Sequence, residues 1–342
     1  MAPLNWGLGH ATRCIPIIKA LLQYNFEPII ASDGMALELL IKEFPNLETL
    51  ELPSYNITYS KNPKHLKLKL LKDTPHIVKT IKNEKHLVEA FLKTHAISGI
   101  ISDNRFGVRS NDVPSVFITH QLQVLSGNTT WLSSKMHQNI ISKFDHCWIP
   151  DYKHEKNLSG ILGHVKDFKG NLNYLGPLSR FEKQALKIKY QLLVILSGPE
   201  PQRTFLEEKL RCELQTFKGK VCIVRGVIEP KQTKIETNHI TNYNYMTSTE
   251  LEHTINASEL ILSRSGYTTL MDLAKLEKKA FFIPTPGQFE QDYLAKKLEA
   301  EGVAPFCNQN DFTIEKLRGI QNYSGFKFES FEIDYEQLFR LF

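Results

Sequence analysis

Residues Ser258 to Ala304, SELILSRSGYTTLMDLAKLEKKAFFIPTPGQFEQDYLAKKLEAEGVA, decide the fold. Leu260 to Leu262 is a short apolar run that reads as a buried strand. Gly266 turns the chain, the residues after it fall into a helix, and Ala280 to Ile283 forms a second apolar strand that closes on a loop rich in proline and glycine. Strand, glycine turn, helix and strand in that order make a parallel βαβ unit. Working outward, the same alternation continues through strands at Pro28 to Ser32, Ile97 to Ser102, Ser115 to Thr119, His146 to Ile149, Gln191 to Leu196 and Lys220 to Val224. Helical periodicity falls on His10 to Tyr24, with Cys14, Ile18, Leu21 and Leu22 on one face, and on Pro75 to Thr94. An α/β chain built from Rossmann-like domains is expected.

At 342 residues the chain is long enough for two such domains. The Gly-Pro turn in Tyr174 to Arg180 and the charged stretch Phe181 to Tyr190 put the boundary near residue 185, giving domains 1–185 and 186–342. Asp334 to Phe342 reads as a short amphipathic helix that either docks back on the first domain or ends the second. Only Met1 to Asn5 precede the first glycine loop, where a strand of about five or six residues is expected. The first strand therefore reads as shortened, with a natural start upstream of Met1.

A hydrophobic content of 42% with 23% charged residues excludes a disordered chain. Leu192 to Leu196 and Ala280 to Ile283 are far shorter than the roughly 20 apolar residues that cross a bilayer. The N-terminus lacks the pattern of a secretory leader. The five cysteines are scattered and form no C-x-x-C pair, which argues against a disulfide framework or a zinc site and fits a reducing cytoplasm. The net charge of +5 comes from the first half, where Lys61, Lys64, Lys67, Lys69, Lys72, Lys79, Lys82 and Lys85 face only Asp73 and Glu84. Such a run is either a solvated helix face or a patch for anionic lipid or a phosphorylated acceptor. Nucleic acid is not expected, because no aromatics interleave the lysines and no reading helix is evident.

Two clusters carry chemistry. In Gly7-Leu-Gly9-His10-Ala-Thr12-Arg13 the glycines let a ligand approach the backbone at a helix start, whose free N–H groups favour an anion. His10 there is either a general base or a helix-capping histidine. Asp103, at a strand end, is either its orienting partner or a turn aspartate bonded to its own backbone. Arg105 reads as a surface or acceptor contact, and His120 either touches a sugar or is a satisfied residue at a strand end. In the second cluster Arg264, Ser265 and Gly266 open a helix bearing Thr268, Thr269 and Asp272. The hydroxyls and helix N–H groups suit a diphosphate, and the carboxylate suits ribose hydroxyls. Gln288, Gln291 and Asp292 suit the hydroxyls of a sugar. No histidine spacing fits a metal ligand set, so neither metal nor other cofactor is expected.

On these residues the chain resembles glycosyltransferase family 28. The likeness is strongest from Ala257 to Pro305 and weaker but collinear over Trp6 to His10 and Thr119 to Gln121. It implies the GT-B fold with a cleft between its domains, and an inverting, metal-independent transfer from a nucleotide-sugar donor, a uridine diphosphate sugar, to a glycan or lipid acceptor. It further implies that Gly198, Ser265 and Gly266 meet the donor phosphates and that the Tyr245-Met246 backbone faces the base. Asp272 stands where the family has a ribose-binding glutamate, and Gln291 and Asp292 lie in its sugar-reading segment. Pro199 and Pro201 depart from the family, since neither offers an N–H to phosphate. A sugar-nucleotide epimerase or hydrolase, and a non-catalytic nucleotide- or glycan-binding protein, remain the alternatives.

Overall fold

The computed structural model describes residues 1–56, 66–327 and 331–342, with side chains of the middle stretch described from 74 onward. It divides into two compact units, the first ending at Leu178 and the second opening at Ser179; the C-terminal segment ending at Phe342 belongs to the first.

The first unit contains β1 (Ala2–Pro3), α1 (Leu8–Gln23), β2 (Ile30–Ser32), α2 (Gly34–Glu43), β3 (Thr49–Glu51), α3 (Leu66–Leu92), β4 (Ile100–Asp103), β5 (Ser115–Ile118), α4 (Thr130–Ile141), β6 (His146–Ile149) and β7 (Leu172–Tyr174). Strands β1, β4, β5, β6 and β7 pair in that order, all parallel, and β2 pairs with β3. The Met1 amine donates to Ile29 O at 2.8 Å and Ala31 N donates to Met1 O at 2.9 Å, which lays β2 along the other side of β1. The full order is β3-β2-β1-β4-β5-β6-β7, the arrangement of a Rossmann sheet. Its inner strands β2, β1, β4, β5 and β6 are buried almost throughout, as a parallel sheet covered on both faces requires, while the edge strands β3 and β7 are more open.

The second unit contains β8 (Tyr190–Ile195), α5 (Gln202–Glu213), β9 (Val221–Val224), β10 (Lys234–Thr237), β11 (Ile240–Tyr243), α6 (Ser248–Asn256), β12 (Ser258–Ser263), α7 (Tyr267–Lys275), β13 (Lys279–Phe282) and α8 (Phe289–Ala300). Its sheet runs β10-β11-β9-β8-β12-β13, parallel except for the β10–β11 hairpin. Leu192, Val194, Val221, Ile223, Leu262 and Phe281 centre one core on this sheet, with Leu206 and Leu210 of α5 packed on it.

The eight strands read from the sequence are all present, within three residues at either end. α3 starts well before the expected Pro75 and passes through that proline. The short strands β3 and β7 and the exposed β10 lack the long apolar runs that mark a buried strand.

The C-terminal segment corrects the expected domain limits. α9 (Tyr335–Phe339) is capped by Asp334, whose Oδ1 accepts from Gln337 N at 2.8 Å. Phe339 packs edge-on to Tyr24 and Phe26 at 5.7 Å, and Phe342 meets Trp148 at 6.2 Å. These aromatic contacts hold the tail on the first unit, and the chain divides at Leu178 rather than near 185.

Candidate active site

In an open α/β sheet, ligands bind beyond the carboxyl ends of the strands where the strand order reverses. The first unit reverses between β1 and β4, and the second between β8 and β12.

In the first unit, the chain leaving β1 turns at Gly7, which has φ 77° and caps α1 without any side-chain bond. A Cβ built at Gly7 would meet nothing within 4 Å, so the loop faces open space. His10 sits in the first turn of α1 and Asp103 ends β4. The two meet with Nδ1 of His10 2.7 Å from Oδ1 of Asp103. Asp103 is fully buried. Burial works to raise its carboxyl, but the Arg13 guanidinium and then His10 hold it well below the usual carboxylate range. An ionised Asp103 can only accept, so Nδ1 of His10 carries the proton and the basic lone pair lies on Nε2, which bonds to none of the described residues.

Arg13 forks onto Asp103, its Nε bonded to Oδ2 and its Nη2 to Oδ1. Nη2 also lies 2.9 Å from Nδ1 of His10, and Nη1 donates to Nδ1 of His120 at 3.0 Å. Asn104, at φ 56°, donates to Oδ1 of Asp103 at 3.3 Å. The thiol of Cys14 donates to Oδ2 at 3.5 Å, and burial and Asp103 push it up, away from thiolate chemistry.

In the second unit, β8 leads through Gly198 (φ 100°) into α5, and β12 leads through Arg264 and Ser265 to Gly266, which caps α7. Neither helix has a side-chain cap. At α5 the first turn is already occupied, Arg203 N donating to Pro199 O at 3.2 Å and Thr204 N to Glu200 Oε2 at 3.3 Å, so the α7 start is the one suited to an anion. A Cβ at Gly266 would meet nothing within 4 Å. The hydroxyl of Thr285 is buried with no hydrogen-bond partner among the described residues, and it would lie 3.5 Å from a Cβ at Gly198. Buried hydroxyls seldom stay unpaired, so this one is suited to a ligand oxygen at the mouth of the β8 loop.

Residues 193–320 match the glycosyltransferase family 28 C-terminal domain. The second unit belongs to that domain family. The chain is 26% identical over 217 residues to the UDP-N-acetylglucosamine–N-acetylmuramyl-(pentapeptide) pyrophosphoryl-undecaprenol N-acetylglucosamine transferase of Buchnera aphidicola subsp. Schizaphis graminum. That match covers 60% of this chain and 56% of the relative, so the chain spans just over half the length of that curated protein. Among solved structures, the glycotransferase of kitacinnamycin superposes with a TM-score of 0.62 at 10% identity, covering 99% of this chain and 91% of that one. MurG of Acinetobacter baumannii superposes at 0.52 and 14% identity, covering 94% and 88%. The fold is therefore GT-B, two Rossmann-like units in one chain.

Within the family 28 domain, Gly198, Gly266, Thr268 and Thr269 lie at the reversal crevice, and both threonines are partly exposed on the first turn of α7. Arg264, expected among the donor-binding residues, is engaged within the protein instead. It is buried and donates to Ile283 O and Pro284 O at 3.0 Å, to Gln202 O at 2.9 Å and to Gln309 Oε1 at 2.7 Å. Its side chain thus ties the loops after β8, β12 and β13 together, and burial lowers the guanidinium to about 9. No carboxylate pairs with it among the described residues. Ser265 and Gln291 also turn inward: the serine hydroxyl donates to Gln291 O at 2.8 Å, and Thr285 N donates to Gln291 Oε1 at 2.8 Å. Ser265, expected at the donor phosphates, and Gln291, expected at the sugar, thus both bond within the protein and shape the loop after β13. Gln288 and Asp292 stay partly exposed, with the Asp292 carboxyl raised by burial.

Asp272 faces inward on α7 and accepts from the Ser179 hydroxyl at 2.7 Å. Burial pushes its carboxyl up to about 6, against the pull of Arg180 and the Ser179 bond. Met246 is partly exposed after β11, just before Thr247, whose capping box opens α6. In the first unit, Gly9 O accepts from the Thr12 hydroxyl at 3.1 Å. Arg105 is another correction. It is wholly buried, not a surface or acceptor contact, because Asp33 and Glu84 pair with it and Pro3 O accepts from it at 3.0 Å. His120 is buried as the acceptor of Arg13. Sequence reasoning passed over Arg13, Asn104 and Thr285. The spacing of Arg13, three residues after His10 on one helix face, was the available signal for the first.

Proposed function

We propose that this chain is a glycosyltransferase that moves a sugar from a nucleoside diphosphate donor, a uridine diphosphate sugar, to an acceptor hydroxyl. The observation that carries the reading is the buried, ionised Asp103 bonded to His10, which leaves Nε2 as an oriented base at the reversal point of the first sheet. The uridine diphosphate donor is taken over from the Buchnera relative's name.

In this reading the acceptor hydroxyl attacks the anomeric carbon while Nε2 takes its proton, and Asp103 stabilises the imidazolium that forms. The bond from the anomeric carbon to the diphosphate oxygen breaks with inversion. The α7 start after Gly266 and the Thr285 hydroxyl are the groups we assign to the leaving diphosphate, so the step calls for no metal. Asp272, bonded through Oδ1 to the Ser179 hydroxyl, is the carboxylate we assign to a ribose hydroxyl.

The acceptor we propose is lipid-linked, with the chain on the cytoplasmic face of a membrane. No helix among the described residues is long and apolar enough to cross one. Support comes from Lys79 and Lys82, exposed on α3, and from Trp131, Leu132 and Met136, exposed beside Lys135 on α4. Lys61, Lys64, Lys67, Lys69 and Lys72 lie outside the described side chains.

The test incubates the protein with a panel of nucleoside diphosphate sugars, with and without lipid and glycan extracts, and follows free nucleotide. Acceptor-dependent release from a uridine diphosphate sugar, lost in His10→Ala, is expected. Release without acceptor would instead mark a hydrolase or epimerase, and no binding at all would leave a non-catalytic protein.

A further inference from the structure

The sequence places Arg13 one helical turn beyond His10, and the structure turns both onto one carboxylate. His10 is faced by Asp103 and Asn104 at the end of β4 and by Arg13 from its own helix; Cys14 reaches the far oxygen of Asp103, and His120, after β5, closes the other side of Arg13. Arg13 and Asp103 are both buried, at 2% and 0% exposure, so little solvent screens their interaction. Asp103 is thus shared between a guanidinium that is always charged and an imidazole that is charged only on protonation.

Two effects of Arg13 on His10 follow from this geometry. The fork occupies both oxygens of Asp103 and fixes the carboxylate plane, which aims Oδ1 at Nδ1. The positive charge, 2.9 Å from Nδ1, also opposes an imidazolium at His10 and offsets the field of Asp103 that would favour one. On its other side Nη1 needs an acceptor, so His120 offers Nδ1 as a lone pair and keeps its proton on Nε2.

We propose that Arg13 is a positioning residue that sets the pH at which His10 can act as a base, by holding Asp103 ionised and oriented while withholding part of its charge from the imidazole. This rests on the reading of His10 as the base in sugar transfer. The coupling itself is read without turnover.

The full chain labelled with 15N-histidine is titrated by NMR, with His10 assigned by its loss in His10→Gln. In the wild type, His10 is expected as the Nδ1–H tautomer and His120 as the Nε2–H tautomer. In Arg13→Gln the His10 midpoint is expected to rise by about one pH unit or more, the usual effect of removing a charge within hydrogen-bond range. Arg13→Lys, which keeps the charge but not the fork, should return most of that shift while lowering kcat. The acid limb of kcat/KM should move with the NMR midpoint. An unchanged His10 midpoint in folded Arg13→Gln overturns the proposal. If that variant does not fold, a wild-type His10 found as the Nε2–H tautomer, or His120 found as imidazolium across the neutral range, overturns it equally. Failure of the sugar-transfer reading would show differently, as turnover that survives His10→Ala while the Arg13 coupling persists.

Discussion

Asp272→Asn separates what burial costs from what it enables. Asp272 lies buried on α7, where among the described residues it accepts from the uncharged Ser179 hydroxyl alone, and its carboxyl is pushed up to about 6. An aspartate in the unfolded chain titrates near 3.9, so the folded state holds on to its proton over about two pH units, at about 1.4 kcal/mol each. The sign follows from linkage. Between about pH 4 and pH 6 the folded state binds more protons than the unfolded one, so stability is lost as the pH rises through that window. Above it the wild type carries a burial cost of about 3 kcal/mol that a neutral amide of the same shape avoids. Asp272→Asn is therefore expected to be more stable than the wild type at pH 8, by up to about 3 kcal/mol or roughly 6–12 °C in Tm, with the gain shrinking toward pH 4.5. The same variant should bind the donor more weakly, because the amide gives up a charged acceptor for the ribose. Urea melts of both proteins across the pH range check the first part, and donor titration the second. A variant destabilised equally at pH 4.5 and pH 8 would refute the reasoning, since the carboxylate would then be a net stabilising partner.

Gly99→Ala drives a methyl into the Phe342 ring, so about 1–3 kcal/mol of stability should be lost, and Phe342→Ala in the same chain should restore part of it in thermal melts. Sedimentation with anionic vesicles should occur at low salt and fade at high salt, and Trp131→Ala, which removes a ring 77% exposed on α4, should weaken it; protein that stays in the supernatant at low salt removes the membrane proposal.

How far the sequence could be read depended on whether a residue's role was local. Strands such as His146–Ile149 and Leu192–Val194 announce themselves because a parallel sheet buries both faces and demands unbroken apolar runs. Gly7 and Gly266 were legible for the same kind of reason, since a strand leading through glycine into a helix is a turn whatever surrounds it. His10 and Asp103 could be paired only as one of two open readings. Their separation is 93 residues along the chain, and only strand order brings β1 beside β4. The charged residues were the least legible. Arg105 and Arg264 sit in loops at strand ends, where arginine usually faces water, yet both are buried because carboxylates or backbone carbonyls from distant elements converge on them. No local pattern encodes that convergence.

Those two arginines also explain why the crevices differ in chemistry. Arg105 is matched by Asp33 and Glu84, so its charge is spent within the first unit, and Arg13 is likewise matched by Asp103. Two buried arginines there face three carboxylates, so neither guanidinium is left without an acidic partner. Among the described residues Arg264 has no such partner: it lies one residue from Ser265 and two from Gly266, bonded to three backbone carbonyls and one amide oxygen, and its buried charge adds to the α7 start. An unmatched positive charge beside a helix start favours a diphosphate over a neutral ligand. Replacing the side chain of Arg264 would therefore disturb both the loops it ties and the field at the α7 start. In the proposed reaction, proton transfer falls to the crevice whose buried arginines found carboxylates and anion binding to the one whose arginine did not.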